Sequence, residues 1–218
     1  MRVVAFVPSK LNSERLPRKN VLPLNGIPLV NYVLRTLNNV EIIDDIVVFA
    51  SESSITEYIE KDLKFTFMKR PAYLDTNEAT VQDFIGEFLK QIKSEIVVLI
   101  HITSPFIKPE TVSECIHNVI FGKYDSAFTA LEIRGFAWYE ERPLNYSFEK
   151  PYPRTQDLEP ILFEQGGLYA FRREIFESSS RRIATNPFIK IVNKFEGHDI
   201  DTHDDFQMAN LMIERKLV

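Results

Sequence analysis

The chain opens on VVAFVP, an apolar run that is too short for a packed helix and stops at Pro8. Such a run fits a strand buried on both faces, as inside a parallel sheet. Ile46–Ala50 (IVVFA) and Ile96–Ile100 (IVVLI) have the same character. Between and after them lie segments of helical spacing. Leu29, Tyr32, Val33 and Leu37 form one apolar stripe, and Val81, Phe84, Ile85 and Phe88 form another at i, i+3, i+4 and i+7. Strands alternating with helices over the first 130 or so residues predict right-handed crossovers and a largely parallel α/β sheet.

Further elements follow in order. A helix is expected from the Ser51–Ser54 turn through about Leu63, then a short strand Phe65–Met68 running into Lys69-Arg70-Pro71. The second apolar stripe predicts a helix over Thr80–Ile92, and Pro109 marks the start of another, where a missing N–H costs least. Ser126–Ile133 alternates as a strand; Leu168–Phe171 and Ile189–Asn193 read as two more. The last helix is expected over Phe206–Lys216, with Thr202 and Asp205 as its capping box. Between Arg134 and Pro160 the pattern breaks into a stretch rich in Pro, Arg, Glu and aromatics, including Trp138, Tyr139 and Tyr146. That stretch is expected to leave the sheet as a lid or a protruding arm. No internal repeat is visible.

At 218 residues the chain is expected to be a single domain, and a 44% apolar fraction is ample for a core. A net charge of −5 argues against general nucleic-acid binding. The lone cysteine, Cys115, cannot form an internal disulfide and falls in the apolar run Val112-Cys115-Ile116-Val119, so it reads as core. No apolar run approaches the roughly 18 residues of a membrane span, and the N-terminal run is too short for a signal peptide. A cytoplasmic protein is expected, with no membrane partner.

The loop that leaves the first strand carries Lys10, Arg15, Arg18 and Lys19 against one acid, Glu14, with Asn12 and Ser13 among them. The carboxyl end of a central strand is where open α/β sheets bind ligands. Arg and Lys there suit a polyphosphate, whose oxygens accept charge-assisted hydrogen bonds; the plain alternative is a solvated basic turn. No GxxxxGK[ST] or dinucleotide fingerprint occurs, so side chains would have to hold the phosphates. Near the other end, Asp199 and Asp201 lie two apart, on one face of an extended segment. Two carboxylates completed by water and phosphate oxygens is a usual Mg²⁺ arrangement. The alternative is an acidic helix start, which suits Asp204 and Asp205 better than Asp199. His198 and His203 flank the pair and raise a His/Asp transition-metal site as a further reading. His101-Ile-Thr103-Ser104-Pro105 ends a central strand and so lies near the same crevice; a lone His there reads as a structural hydrogen-bonder or a catalyst.

The run Val7-Pro8-x-Lys10-x-x-Ser13-x-Arg15-Leu16-Pro17-x-Lys19-Asn20 resembles the opening motif of the acylneuraminate cytidylyltransferases, close to IPARxGSKRxPxKN. Gly26-x-Pro28-Leu29 continues it, and Arg70-Pro71 with Leu74 and Thr80 resembles the second block. His101–Pro105 resembles the family's QPTSP, and Arg154-x-Gln156-Asp157-Leu158 its RxQDLP. Gln165-Gly166-Gly167-Leu168-Tyr169 resembles NGAIY, and Asp199-Ile200-Asp201-Thr202-x-x-Asp205-Phe206 resembles IDIDTxxDF. The resemblance covers almost the whole chain, in order. Departures fall at Lys10, Asn12, Glu14, Asn77, His101 and Gln165, positions that would set specificity. The related Kdo cytidylyltransferases share the Arg-Leu-Pro-x-Lys run but normally carry an Asp near the end of the strand matching Ile96–Ile100, which is absent here.

The resemblance implies a nucleotide-diphospho-sugar transferase (glycosyltransferase-A-like) fold, three-layered and mostly parallel. It implies an enzyme that transfers CMP from CTP to the hydroxyl of a sialic-acid-like sugar acid for surface glycans, releasing pyrophosphate. Lys10, Ser13, Arg15, Lys19 and Asn20 would serve the triphosphate, and Asp199 with Asp201 would hold Mg²⁺. Arg70, Thr80, Arg154, Gln165 and Tyr169 would shape the nucleotide and acceptor pockets. His101 is expected at the acceptor hydroxyl or the base, titrating near neutrality. The 134–160 excursion matches the family's dimer-forming region and implies a homodimer. Another acceptor, such as Kdo or a phosphorylated sugar or polyol, and a non-catalytic nucleotide-binding relative remain as alternatives.

Overall fold

The computed structural model describes residues 1–11, 13 and 15–218. Strand β1 (Val3–Ser9) enters the loop, which returns through a tight 3₁₀ turn at Lys19–Val21. A small hairpin follows, β2 (Pro23–Leu24) and β3 (Ile27–Pro28). Asn25 and Gly26 both have positive φ, the backbone that an Asn-Gly two-residue turn supplies. Then come α1 (Leu29–Asn38), β4 (Asp45–Ala50), β5 (Thr66–Lys69), α2 (Val81–Gln91), β6 (Ile96–Ile100) and α3 (Pro109–Ile120). The second half holds β7 (Ser126–Ile133), the hairpin β8 (Trp138–Tyr139) and β9 (Arg142–Pro143), and β10 (Ile161–Arg172). The short α4 (Arg173–Ser179), β11 (Pro187–Val192) and α5 (His203–Glu214) complete the chain.

Seven strands make one sheet in the order β11-β7-β10-β6-β1-β4-β5. All run the same way except β10, which is antiparallel to both its neighbours. The sheet is therefore mostly parallel, as expected, with one reversed strand inside it. β1 lies between β4 and β6, so both its edges are paired, and with helices over both faces Val4, Ala5, Phe6 and Val7 are fully buried. Val3, Ala5 and Val7 pack toward Val30, Val33 and Leu34 of α1 and Val112, Cys115 and Ile116 of α3. Val4 and Phe6 face Ile85, Phe88 and Leu89 of α2. Phe6 stacks on Phe88 with ring centroids 4.3 Å apart. Each such side chain contributes about 1.5–3 kcal/mol on burial.

The predicted helix through Leu63 is not formed; only a 3₁₀ segment, Ser53–Tyr58, is present. Asn31 of α1 explains this. Its Nδ2 donates to the Tyr58 carbonyl and its Oδ1 accepts from the Glu60 amide, so the i→i−4 ladder cannot continue there. The expected capping box is formed, with Thr202–Asp205 capping α5, and Thr80–Asp83 forms a second one on α2 that the sequence reading did not name. No helix among the described residues is long and apolar enough to cross a membrane.

Residues 134–160 leave the sheet between β7 and β10, whose outer ends pair Ile133 with Ile161. The excursion carries its own ring cluster. Tyr146 lies between Phe136, Trp138, Phe148 and Tyr152, at centroid distances of 5.1, 6.2, 5.9 and 5.5 Å. Phe136, Trp138, Phe148, Tyr152 and Phe163 all remain exposed.

Candidate active site

The basic loop is anchored rather than solvated. Leu11, Leu16 and Val21 are buried in the main core cluster, and Lys19 N and Val21 N donate to the carbonyls of Leu16 and Arg18. This tight return places Lys19 and Asn20 in buried positions beside the end of β1. Asn20 Nδ2 donates to Ser9 Oγ and to the Lys10 carbonyl, both at 3.0 Å, fixing where the strand becomes loop. Asn12 and Glu14, two of the expected specificity positions, lie outside the described residues.

The acid pair comes from the opposite end of the chain. Ile200 is fully buried, and its amide donates to the Thr103 carbonyl at 2.8 Å. With Ile200 pinned into the core, Asp199 and Asp201 flank it next to the turn after β6. Asp201 Oδ1 accepts from Lys19 Nζ and its Oδ2 pairs with Arg15, each at 2.9 Å. Burial pushes the Asp201 carboxyl up, but Lys19 and Arg15 outweigh it and hold it below the ordinary aspartate range. Asp199 is different. Burial holds its carboxyl above that range, the neighbouring Asp201 charge adds to this, and hydroxyls of Thr103 and Ser104 offset it in part.

Between loop and strand ends lies a cleft of about 310 Å³. Lys10, Ser13, Arg15, Lys19, Asn20, Arg70 and His101 all line it, and with Asn77, Phe84 and Thr103 they make a strongly cationic wall. Arg70 is buried, pairs with Asp75 and lies 5.4 Å from the centre of the Phe84 ring; its buried Nε has no partner among the described residues. A buried guanidinium donor facing a cleft is suited to an anion that enters it. Lys10 Nζ reaches the Asp75 carbonyl at 3.5 Å from the other wall.

Asp199 and Asp201 do not themselves line this cleft, which Asp201 meets through Lys19 and Arg15, and four further expected pocket residues take other places. Thr80 is an exposed helix cap, its hydroxyl bound to Asp83. Arg154 pairs with Asp157 on the exposed excursion and does not line the cleft. Gln165 is a buried brace: its Nε2 donates to Ser104 Oγ at 3.0 Å, and its Oε1 accepts from Thr129 Oγ1 and the Gly167 amide at 2.9 Å. Ser104 Oγ in turn donates to Asp199 Oδ1 at 3.1 Å, so Gln165 acts on the acid pair through Ser104. Tyr169 is buried beneath Arg182 and does not line the cleft. Ser104, in the quoted HITSP run, is not singled out by the sequence pattern, yet its hydroxyl joins Gln165 to Asp199.

His101 lines the cleft, but it does not titrate near neutrality. Burial, then the charges of Arg182 and Lys19, depress its pKa to about 4, so the imidazole is neutral at pH 7. Among the described residues no three His, Cys, Asp or Glu side chains gather as a metal cluster. His198 Nε2 lies 2.9 Å from the Asp205 carbonyl and His203 Nε2 lies 3.0 Å from Gln207 Nε2, so each ring has a partner other than the acid pair. What is left is a carboxylate pair, one member buried against its own charge. That donor set fits Mg²⁺ if the other ligands are phosphate and water oxygens.

Against known proteins, residues 4–178 match the family model described as Cytidylyltransferase. The N-acylneuraminate cytidylyltransferase of Streptococcus agalactiae serotype V is 26% identical over 220 residues, covering 94% of this chain and 52% of its own. The chain thus spans about half the length of that relative. The pseudaminic acid cytidylyltransferase of Campylobacter jejuni is 24% identical, covering 97% of this chain and 96% of its own. Among solved structures, CMP:2-keto-3-deoxy-manno-octonic acid synthetase complexed with CTP superposes with a TM-score of 0.74 at 17% identity, covering 99% of this chain and 100% of the other. The matched segment takes in the basic loop, the Arg70 wall and the His101 turn, and the chain belongs to the cytidylyltransferase family.

Proposed function

We propose that this protein transfers CMP from CTP to the hydroxyl of a sialic-acid-like sugar acid, with release of pyrophosphate. The observation that carries the reading is the convergence of Lys19 and Arg15 on Asp201 at the edge of a cationic cleft. Lys10, Ser13, Arg15 and Lys19 bind the triphosphate, and Asn20 holds the loop in its binding shape. Arg15, whose side chain is 69% exposed, is free to leave Asp201 for phosphate oxygens when the nucleotide enters. Buried Lys19 stays, bridging the nucleotide and the acid pair. Arg70 offers its guanidinium from the facing wall.

Asp199 and Asp201 would hold Mg²⁺, which supplies charge neutralisation at the triphosphate. The acceptor hydroxyl attacks the α-phosphorus in line, the bond to the bridging oxygen of pyrophosphate breaks, and the hydroxyl proton is released to solvent. Such a displacement depends on positioning and on cations at the departing oxygens. His101, neutral at working pH, acts as a hydrogen-bonding group toward base or acceptor rather than as a titrating base.

The exposed aromatic excursion over 134–160 is read as the contact to a second copy, giving a homodimer, and the compartment as the cytoplasm. The decisive experiment is pyrophosphate release with CTP and Mg²⁺ over a panel of sugar acids. Release with at least one acid supports the reading; none, with CTP bound normally, overturns it.

A further inference from the structure

Outside the cleft, one charged cluster has no structural task that accounts for its form. Arg182, in the connection between α4 and β11, lays its guanidinium 3.7 Å from the centre of the Tyr169 ring. Its Nη2 donates to the Tyr169 hydroxyl at 2.9 Å and lies 3.5 Å from Glu164 Oε1. The Tyr169 hydroxyl donates to the same Glu164 oxygen. The ring beneath it and the hydrogen bond to the hydroxyl hold the guanidinium in place over Tyr169. Its Nε and Nη1 make no hydrogen bond among the described residues, and the side chain is 24% exposed. An arginine held in this way, with donors unspent, is preorganised for a carboxylate.

Its place in the fold is next to the reaction site. Tyr169 pairs across the sheet with Leu99, two residues before His101, and the His101 amide donates to the Gly167 carbonyl at 2.9 Å. The Arg182 charge also reaches His101, where only burial weighs more on the imidazole. Lys10, Arg15, Lys19 and Arg70 line the cleft; Arg182 does not, and stands on the Tyr169 side of His101. The cations of the cleft suit the nucleotide, which leaves Arg182 as a separate positive group for a second anion.

We propose that Arg182, steadied by Tyr169, binds the carboxylate of the acceptor, and that Glu164 competes with that carboxylate for the same guanidinium. This rests on the cytidylyltransferase reading and deepens it, because it makes the carboxylate of the acceptor a requirement of the site. An acceptor of equal size without the negative charge would bind less well.

The test compares N-acetylneuraminate, 3-deoxy-manno-octulosonate and pseudaminate with their carboxamides, using pyrophosphate release with CTP and Mg²⁺. For an acid that is turned over, the wild type is expected to prefer the acid by about tenfold or more in acceptor KM. Arg182→Gln should abolish that preference and leave the KM for CTP unchanged. Arg182→Lys, which keeps the charge and controls for folding, should retain part of it. Glu164→Gln should lower the acceptor KM, a direction that a merely structural role does not give. An Arg182→Gln enzyme that still prefers acid to amide, or a wild type with no preference, overturns the proposal. A CTP–Mg²⁺ isotherm on the same samples separates the failures. Loss of CTP binding in the wild type overturns the nucleotide reading and this assignment with it, whereas normal binding with an unchanged acid-to-amide ratio overturns the assignment alone.

Discussion

Lys19 Nζ and Asp201 Oδ1 lie 2.9 Å apart although 182 positions of chain separate them. Lys19 is nearly buried and Asp201 half-exposed, so the pair joins the amino-terminal loop to the carboxyl-terminal acid segment at the mouth of the cleft. Removing the partner of a nearly buried lysine costs more stability than losing a fully exposed pair would. Asp201→Asn keeps an oxygen that can accept from Lys19, so it is expected to fold and to melt somewhat below wild type, while turnover falls by about a hundredfold or more, since a group serving the developing charge is gone. Steady-state kinetics in excess Mg²⁺ beside a thermal melt checks this; unchanged turnover removes the carboxylate from the reaction.

Asp199 gives the opposite sign in stability. Burial and its neighbour Asp201 raise its pKa, so its ionised form costs stability at neutral pH. That cost is relieved as pH falls through the raised pKa, whereas the contribution of Asp201, whose pKa is lowered, is lost only at pH values below the ordinary aspartate value of 3.8. Asp199→Asn should accordingly melt at or above the wild-type temperature at pH 7, an advantage that fades on acidification, while turnover collapses. Melting curves from pH 7 to pH 4 show whether it does.

His101 sets a pH window of its own. Its pKa drops from 6.5 to about 4 on folding, so below pH 6.5 the unfolded chain takes up a proton that the folded one does not. Stability falls with pH across that window, by up to about 3 kcal/mol in all. His101→Gln should flatten this part of a denaturation-versus-pH profile. It should also leave the shape of the rate profile between pH 6 and 8 unchanged, because the imidazole is neutral throughout. A rate profile that loses an inflection near neutrality on substitution would show the imidazole titrating there after all.

Much of this architecture was legible because it follows from local chemistry. IVVLI has to be buried on both faces, and Thr202 with Asp205 specifies a helix start; both hold. The fate of Ser53–Leu63 was not legible, since it turns on Asn31, a residue from another element. The first half of β10 was hidden by its bulge: Glu164-Gln165-Gly166 interrupts the apolar pattern, and Gly166 takes a positive φ. Lys10, Ser13, Arg15, Lys19, Asn20, Arg70 and His101 line one cleft, because each lies at or beyond the carboxyl end of a parallel strand. Gln165 and Tyr169 lie on β10, which runs the other way, so Gln165 touches the acid pair through Ser104 and Tyr169 lies beneath Arg182, away from the cleft lining.

The excursion over 134–160 exposes Trp138, Phe148 and Tyr152 around Tyr146, an apolar surface that a second copy would cover. Phe148→Asp combined with Trp138→Asp should halve the mass seen by light scattering without changing the circular dichroism. A wild-type protein that is already monomeric at assay concentration sinks the dimer reading.

Gln165 and Gly167 fit each other. A Cβ on Gly167 would lie 2.6 Å from Gln165 Oε1 and 2.5 Å from Ser104 Oγ, closer than atoms can pack. The quoted family motif has Asn and Ala at these two positions, a shorter amide beside a larger neighbour. Gly167→Ala alone should push Gln165 and Ser104 aside, loosening the hold on Asp199 and lowering turnover. Gln165→Asn alone should leave Thr129 Oγ1 or the Gly167 amide without its partner, at about 1–3 kcal/mol. In the double variant the shorter amide vacates the space that the methyl needs. The two changes should thus cost less together than the sum of their separate costs, a coupling that only neighbours in contact show. Denaturant unfolding of the four proteins measures it directly, and strict additivity would mean that Gln165 does not hold the place beside Gly167 in solution.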